Sequence, residues 1–342
     1  MLVLTRTDVE ELLDLDALLE ALARAHAELS AGTVSLPPRV AAFAGETGLL
    51  GAMPAHLPDA SGASDVSGLG APSAEPPEPG RKTDASGVLG CKLVTLFPHN
   101  TDRPTHQAVI ALFDPATGTP IALMDGTHVT AARTGAAAAL AARLLARPDA
   151  RTLAILGTGV QARSHAQAFA RIRDWDEIRV AGRDRAKTEA LAGELGATAA
   201  ASFEEAVRGA DVVAATTHSE EPVVRAGWVA PGTHVGSVGY AVPGSELDPE
   251  LVRNADVVAV ESRGSALAEP PAGAVELAGI DPERAVELGE LVAGTRPGRT
   301  APEQITLYKS VGVAAQDLAA AALVLAAARE RGAGLEIELE EL

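Results

Sequence analysis

Apolar residues recur at helical spacing between residues 9 and 31, with Leu12, Leu13, Leu15, Leu18, Leu19 and Leu22 among them. The pattern predicts one or two amphipathic helices, ended by Pro37 and Pro38. Short apolar runs follow at 40–43, 48–53, 89–97, 108–114 and 120–124, each bounded by Gly, Pro or Asn, which predicts an antiparallel sheet. The turn Asp114-Pro115-Ala116-Thr117-Gly118 marks a hairpin between the last two. Between residues 55 and 87 bulky apolar side chains almost vanish, so burial cannot offset the entropy of ordering, and a flexible low-complexity insertion is expected there. Residues 130–147 are alanine-rich and predict a helix closed by Pro148 that joins two domains. Beyond it, β-type runs at 152–156, 178–181, 212–216, 234–238 and 257–260 alternate with helical stretches such as 162–172 and 186–195. Such alternation predicts a parallel sheet with crossover helices. A last helix, 313–331, is expected to return to the first domain.

A length of 342 residues exceeds what one core usually supports and suits two domains. The expected class is α/β: a Rossmann-type doubly wound domain over residues 129–317, and an α+β domain over 1–128 with 318–342. The net charge of −18 opposes binding to nucleic acid or to an anionic membrane, and no apolar run approaches a membrane span. The chain starts with Asp8, Glu10 and Glu11 within its first turns, unlike a signal or transit peptide, so a cytoplasmic location is expected. The single cysteine, Cys91, excludes an internal disulfide and reads as a buried inert thiol. The histidines show no paired ligand spacing with a carboxylate, so no metal is expected. Lysine occurs only at 82, 92, 187 and 309, and this acidic, lysine-poor composition fits a halophilic surface, although a GC-rich genome also favours arginine and alanine.

The run Gly157-Thr158-Gly159-Val160-Gln161-Ala162 follows a β run and opens a helix. In that setting Gly157 permits a tight turn, Gly159 lets the backbone approach a pyrophosphate, and Ala162 allows close packing, with Val160 and Gln161 at the helix N-terminus facing the phosphates. After the next β run comes Gly182-Arg183-Asp184-Arg185. Arg183 stands where a guanidinium pairs with a 2′-phosphate, which favours NADP. A register shifted by one residue would make Asp184 the ribose ligand and NAD the cofactor. Arg185 reads as a surface charge.

Five separated stretches carry a family likeness. They are Gly90-Cys91-Lys92-Leu93-Val94-Thr95 with Phe97-Pro98-His99-Asn100; Met124-Asp125-Gly126-Thr127 with Thr130 and Arg133-Thr134-Gly135-Ala136-Ala137; the 157–162 turn; Val238-Gly239 with Pro243 and Glu246-Leu247-Asp248; and Lys309-Ser310-Val311-Gly312 with Asp317. Taken together, and over nearly the whole chain outside 55–87, the sequence resembles the ornithine cyclodeaminase/mu-crystallin family. The resemblance implies that Arg39, Lys92 and Arg133 bind the substrate α-carboxylate or act beside the reacting carbon. It places Thr134, Val238, Gly239 and Lys309 at the cofactor, gives Asp317 a supporting hydrogen bond near it, and implies a homodimer paired through the first, substrate-binding domain. The residue types suit these roles. Arginine presents a planar fork to a carboxylate, and a lone lysine in an apolar run is costly unless it has a partner.

The activity the resemblance implies is hydride exchange between a nicotinamide and the α-carbon of an amino acid or its imine. Cyclodeaminases of the family carry an aspartate shortly after the Val-Gly pair, and here that place falls on Ala241, which weighs against cyclodeamination. The expectation is therefore an alanine dehydrogenase or ketimine reductase type of enzyme, reversibly converting an L-amino acid and a 2-imino acid. Two other readings stay open: ornithine cyclodeamination to proline and ammonia, and a non-catalytic binder of a small molecule with NADPH. Retention of Arg39, Lys92 and Arg133 together argues for a catalyst.

Overall fold

Two units make up the chain: Met1–Arg133 with Val313–Leu342, and Thr134–Gly312. The computed structural model describes residues 1–45, 47–58, 87–239, 244–269 and 272–339. The first unit opens with β1 (Leu2–Leu4), α1 (Arg6–Leu12) and α2 (Leu15–Ser30). Thr5 and Asp14 cap the two helices by accepting from Asp8 N and Ala17 N. α2 buries Leu18, Leu19, Leu22, Ala25 and His26, one stripe at helical spacing. There follow β2 (Val40–Ala44), β3 (Gly48–Leu57), β4 (Val88–Leu96), β5 (His106–Phe113) and β6 (Pro120–Asp125), the expected antiparallel run. β3 continues to Leu57, so the first residues of the expected 55–87 insertion are strand, and 59–86 lie outside the described residues.

The alanine-rich helix α3 (Gly126–Leu145) begins in the first unit and ends in the second. Then come β7 (Thr152–Leu156), α4 (Val160–Ile172), β8 (Glu177–Ala181), α5 (Arg185–Leu195), β9 (Thr198–Ala199), α6 (Phe203–Val207), β10 (Val212–Ala215), β11 (His234–Ser237), α7 (Pro249–Asn254), β12 (Val257–Val260), α8 (Arg263–Ala266), β13 (Ala285–Glu287), α9 (Leu288–Val292) and β14 (Thr306–Lys309). The chain re-enters the first unit with α10 (Ala314–Arg331) and β15 (Leu335–Glu336).

In the second unit the strands pair in parallel in the order β13-β12-β14-β11-β10-β7-β8-β9. β10, β11, β12 and β14 are buried throughout, as parallel strands covered on both faces should be. The strand order reverses between β7 and β10, the switch point of a doubly wound sheet. β14 was not anticipated, and it inserts between β11 and β12.

The first unit has a sheet ordered β15-β1-β6-β5-β4-β3-β2. Its register sets Met53, Lys92, Ile110, Met124 and Leu4 in one row across five strands. Paired residues share a face, so Lys92 points with four apolar neighbours into the core, where α10 packs on β3, β4 and α2. Cys91 faces the other way and is half-buried, not buried as expected. The division between units also differs from the expected 128/129 and 317/318. Arg133 and Asp317 both fall in the first unit, where Asp317 pairs with Arg133 and with Lys92. No helix among the described residues is long and apolar enough to cross a membrane.

Candidate active site

Lys92 is 2% exposed, and its Nζ lies 2.7 Å from Asp317 Oδ2. Asp317 stands in the first turn of α10, where the helix dipole favours a carboxylate. Its other oxygen, Oδ1, accepts from Arg133 Nε at 3.0 Å. Arg133 Nη1 donates to Gln316 Oε1 at 2.9 Å, and Gln316 Nε2 lies 3.1 Å from His26 Nε2. Arginine has only donors, so the glutamine oxygen must face it and the amide nitrogen must donate to His26. His26 Nε2 is then an acceptor, which fixes the neutral tautomer with the proton on Nδ1.

Two buried cations thus share one buried carboxylate, leaving an excess of one positive charge. Arg39, exposed just before β2, acts electrostatically on Lys92. Burial pushes the Lys92 ammonium down to about 8; Arg133 and Arg39 push the same way, and the charge and hydrogen bond of Asp317 oppose them. A buried surplus of positive charge is stable only if an anion or deprotonation relieves it. The site therefore asks for an anion and holds a lysine that can exchange a proton near neutral pH. The structure brings Lys92, Arg133 and Asp317 together as one ion cluster, in which Asp317 is the counter-ion of the two cations. Gln316 and His26 were not foreseen. A histidine on the apolar stripe of α2 was the available signal.

In the second unit Gly157 follows β7 with φ +117°, and a Cβ there would stand 2.7 Å from Thr216 Oγ1. Only glycine makes this turn. Gly159 caps α4 without any side-chain hydrogen bond, and a Cβ on it would meet nothing within 4 Å. The first N–H groups of α4, at Val160 and Gln161, thus open onto free space, with Val160 62% exposed, while Ala162 is fully buried. These features fit a phosphate group. After β8, Asp184 caps α5 by accepting from Lys187 N at 3.1 Å, and Arg185 pairs with Glu189 at 2.6 Å. Arg183 is exposed and makes no hydrogen bond or ion pair among the described residues. Thr134, the first residue of this unit, is buried. Lys309, expected at the cofactor, has its Nζ within 3.0 Å of Ser237 Oγ, Gly239 O and Glu276 Oε1, so its three donors are spent on protein acceptors. Gly239 N donates to Glu246, whereas Ala241 lies outside the described residues.

The family model described as "Ornithine cyclodeaminase/mu-crystallin family" matches residues 79–332. Ketimine reductase mu-crystallin of Mus musculus is 42% identical over 245 residues, covering 70% of this chain and 76% of that protein. Among solved structures, Δ1-pyrroline-2-carboxylate reductase of Thermococcus litoralis in complex with NADH and L-proline superposes with a TM-score of 0.85 at 34% identity, covering 98% of this chain and 100% of that one. An archaeal alanine dehydrogenase dimer with bound NAD gives a TM-score of 0.84 at 31% identity, covering 99% of each chain. With the phosphate turn, the buried cation cluster and these likenesses in hand, the chain belongs to the ornithine cyclodeaminase/mu-crystallin family and is an NAD(P)-dependent oxidoreductase.

Proposed function

We propose that the protein reversibly reduces a 2-imino acid to an L-amino acid, as a ketimine reductase or alanine dehydrogenase does. The observation that carries this is the pair of buried cations, Lys92 and Arg133, held by a single carboxylate on Asp317. An α-carboxylate supplies the missing negative charge, and the Arg133 guanidinium, with Nε and Nη1 already anchored, keeps Nη2 for it. Arg39 is the second carboxylate ligand. Lys92, its ammonium lowered by burial to about 8, gives a proton from Nζ to the substrate nitrogen during reduction and takes it back in oxidation. The nicotinamide, when bound, supplies or receives the hydride. Gly157, Gly159, Val160 and Gln161 hold its pyrophosphate, with Thr134, Val238 and Gly239 contributing along the same dinucleotide.

We take the preferred cofactor to be NADP. The Asp184 carboxylate is engaged in capping α5, whereas Arg183 is exposed and unengaged among the described residues. A homodimer is proposed through the sheet face opposite Lys92, where Val40, Leu50, Leu93 and Val109 are 37–63% exposed. Leu93→Glu with Val109→Asp is expected to give a monomer by light scattering. A dimer unchanged by both would remove this assignment. The single cysteine and the acidic composition accord with a cytoplasmic, salt-tolerant enzyme.

The deciding experiment follows nicotinamide absorbance with both cofactors at low and high salt, offering cyclic 2-imino acids, pyruvate with ammonia, and ornithine. Oxidation of the reduced cofactor dependent on an imino acid is expected. Proline and ammonia formed from ornithine without net cofactor turnover would replace this reading with cyclodeamination. Tight cofactor binding with no turnover on any of them would replace it with a binding function.

A further inference from the structure

Glu246, Glu276 and Lys309 form one network of buried charged side chains in the second unit. The Glu246 carboxylate accepts four hydrogen bonds, from Thr217 N at 2.6 Å, Thr217 Oγ1 at 2.7 Å, Ser237 Oγ at 2.7 Å and Gly239 N at 2.8 Å. Lys309 Nζ donates to Gly239 O at 2.7 Å, Glu276 Oε1 at 2.9 Å and Ser237 Oγ at 3.0 Å. Glu276 Oε1 also accepts from Glu246 N at 3.1 Å, which closes the network. A Cβ at Gly239 would stand 2.5 Å from both the Glu246 carboxyl and Thr217 O, so glycine is what lets the carboxylate reach this peptide.

Every bond of the network converges on one edge of the sheet. Thr217 follows β10, Ser237 and Gly239 end and follow β11, and Lys309 ends β14. These are the carboxyl ends of adjacent parallel strands, over which a doubly wound sheet receives its dinucleotide. With the phosphate turn after β7 and Arg183 after β8, the adenosine half belongs to the β7 and β8 side. The nicotinamide half then belongs to the β10 and β11 side. Burying three charges is an expensive way to brace a loop, since apolar packing would do it with less desolvation. What the charges add is a fixed orientation, because both polar groups of Gly239, its N–H and its C=O, are pinned by ionised partners.

We propose that Glu246, Glu276 and Lys309 are positioning residues that fix the backbone at Val238 and Gly239 to receive the nicotinamide half of the cofactor. The inference rests on the reading of this unit as the dinucleotide-binding one, and not on which imine is reduced. Its test needs no substrate. The affinities of NADPH and of its nicotinamide-free half, 2′-phospho-ADP-ribose, are measured by titration calorimetry for the full-length protein and for Glu246→Gln and Lys309→Met. Thermal midpoints of the ligand-free proteins are recorded alongside. NADPH is expected to bind about tenfold or more weaker, the size of a lost charge-assisted hydrogen bond, with the half-ligand unchanged within about twofold. Ser237→Ala, which removes one neutral hydroxyl that donates to Glu246 and accepts from Lys309 and leaves both charges with other partners, serves where the charged variants do not fold, and about threefold weakening confined to NADPH is expected. Equal weakening of both ligands, or of neither, in a folded variant would overturn the proposal. If neither ligand binds the unaltered protein, it is the cofactor reading that fails.

Discussion

Replacing Asp317 by Asn removes the one carboxylate that Lys92 and Arg133 share, while keeping its shape. At 2.7 Å a unit charge pair is worth about 6 kcal/mol at an effective dielectric of ~20, an upper figure before relaxation. Measured effects of close opposite charges run to about one to three pH units, so the Lys92 ammonium should drop from about 8 to roughly 5–7. In the proposed mechanism imine reduction draws its proton from cationic Lys92, so the alkaline fall of kcat/KM should move down by the same amount. For a two-unit drop the cationic fraction at pH 8 falls about 50-fold, whereas acidification to pH 5.5 should restore most of the loss. Asn offers one acceptor oxygen where Asp offered two, so one of the two cations also loses its anchor, which lowers kcat/KM by a factor that does not vary with pH. The assay is a pH series of initial rates on the imino acid that the substrate panel identifies, with circular dichroism to confirm the fold. A folded Asp317→Asn protein whose alkaline limb stays where the parent has it would refute the assignment of Asp317 as the counter-ion of Lys92.

Lys92 itself should cost stability. Its folded value of about 8 lies below the ordinary 10.5, so the native state is unpenalised above pH 10.5, loses stability as pH falls to 8, and bears the full cost, about 3 kcal/mol, below that. Lys92→Met is therefore expected to raise the urea midpoint at pH 7 while abolishing turnover, and a less stable variant would contradict the sign. Arg183→Ser should weaken use of NADPH about tenfold or more relative to NADH, measured as a ratio of kcat/KM; an unchanged ratio would remove Arg183 from the 2′-phosphate. His234 and His165 are pushed down to about 3 and about 4, mainly by burial, with Arg299 assisting at His234 and the Gln161 carbonyl opposing at His165. Both favour the folded state only while neutral. The stability they contribute is intact above pH 6.5 and is lost as pH falls toward 4 and 3, about 2 kcal/mol each by pH 5. Denaturation curves at pH 8 and pH 5 should show this loss, and His165→Gln should reduce it; a pH-independent midpoint would contradict it.

Much of the fold was legible because local pattern and tertiary role agreed. β7 and β12 fall at the residues their apolar runs marked, and the glycine turn sits between a strand and a helix as its spacing required. β14 escaped because Thr306, Leu307, Tyr308 and Lys309 show neither alternation nor a pure apolar run, and the polar ends are buried only through partners distant in sequence. The unit boundary escaped for a related reason. α3 is one unbroken alanine-rich helix, and nothing local distinguishes Arg133 from Thr134. Lys92 could be singled out as a lone lysine in an apolar strand. That its counter-ion is Asp317, 225 positions away by numbering (317 minus 92), depends on which helix covers the sheet, and no spacing rule states it.

The two buried charge clusters separate a site from its scaffold by one criterion. Lys92, Arg133 and Asp317 sum to +1, and Nη2 of Arg133 has no hydrogen-bond partner among the described residues. Glu246, Glu276 and Lys309 sum to −1, yet the Glu246 carboxylate accepts four donors and the Lys309 ammonium spends all three of its own. A charge saturated by fixed donors gains little from a ligand, because no hydrogen bond remains to be made. A charge left short of partners gains both Coulomb energy and hydrogen bonds when an anion arrives. The first cluster is therefore where substrate should bind and where substitutions should change kcat/KM with pH. The second should act only through the backbone it holds, changing dinucleotide affinity without altering the pH profile.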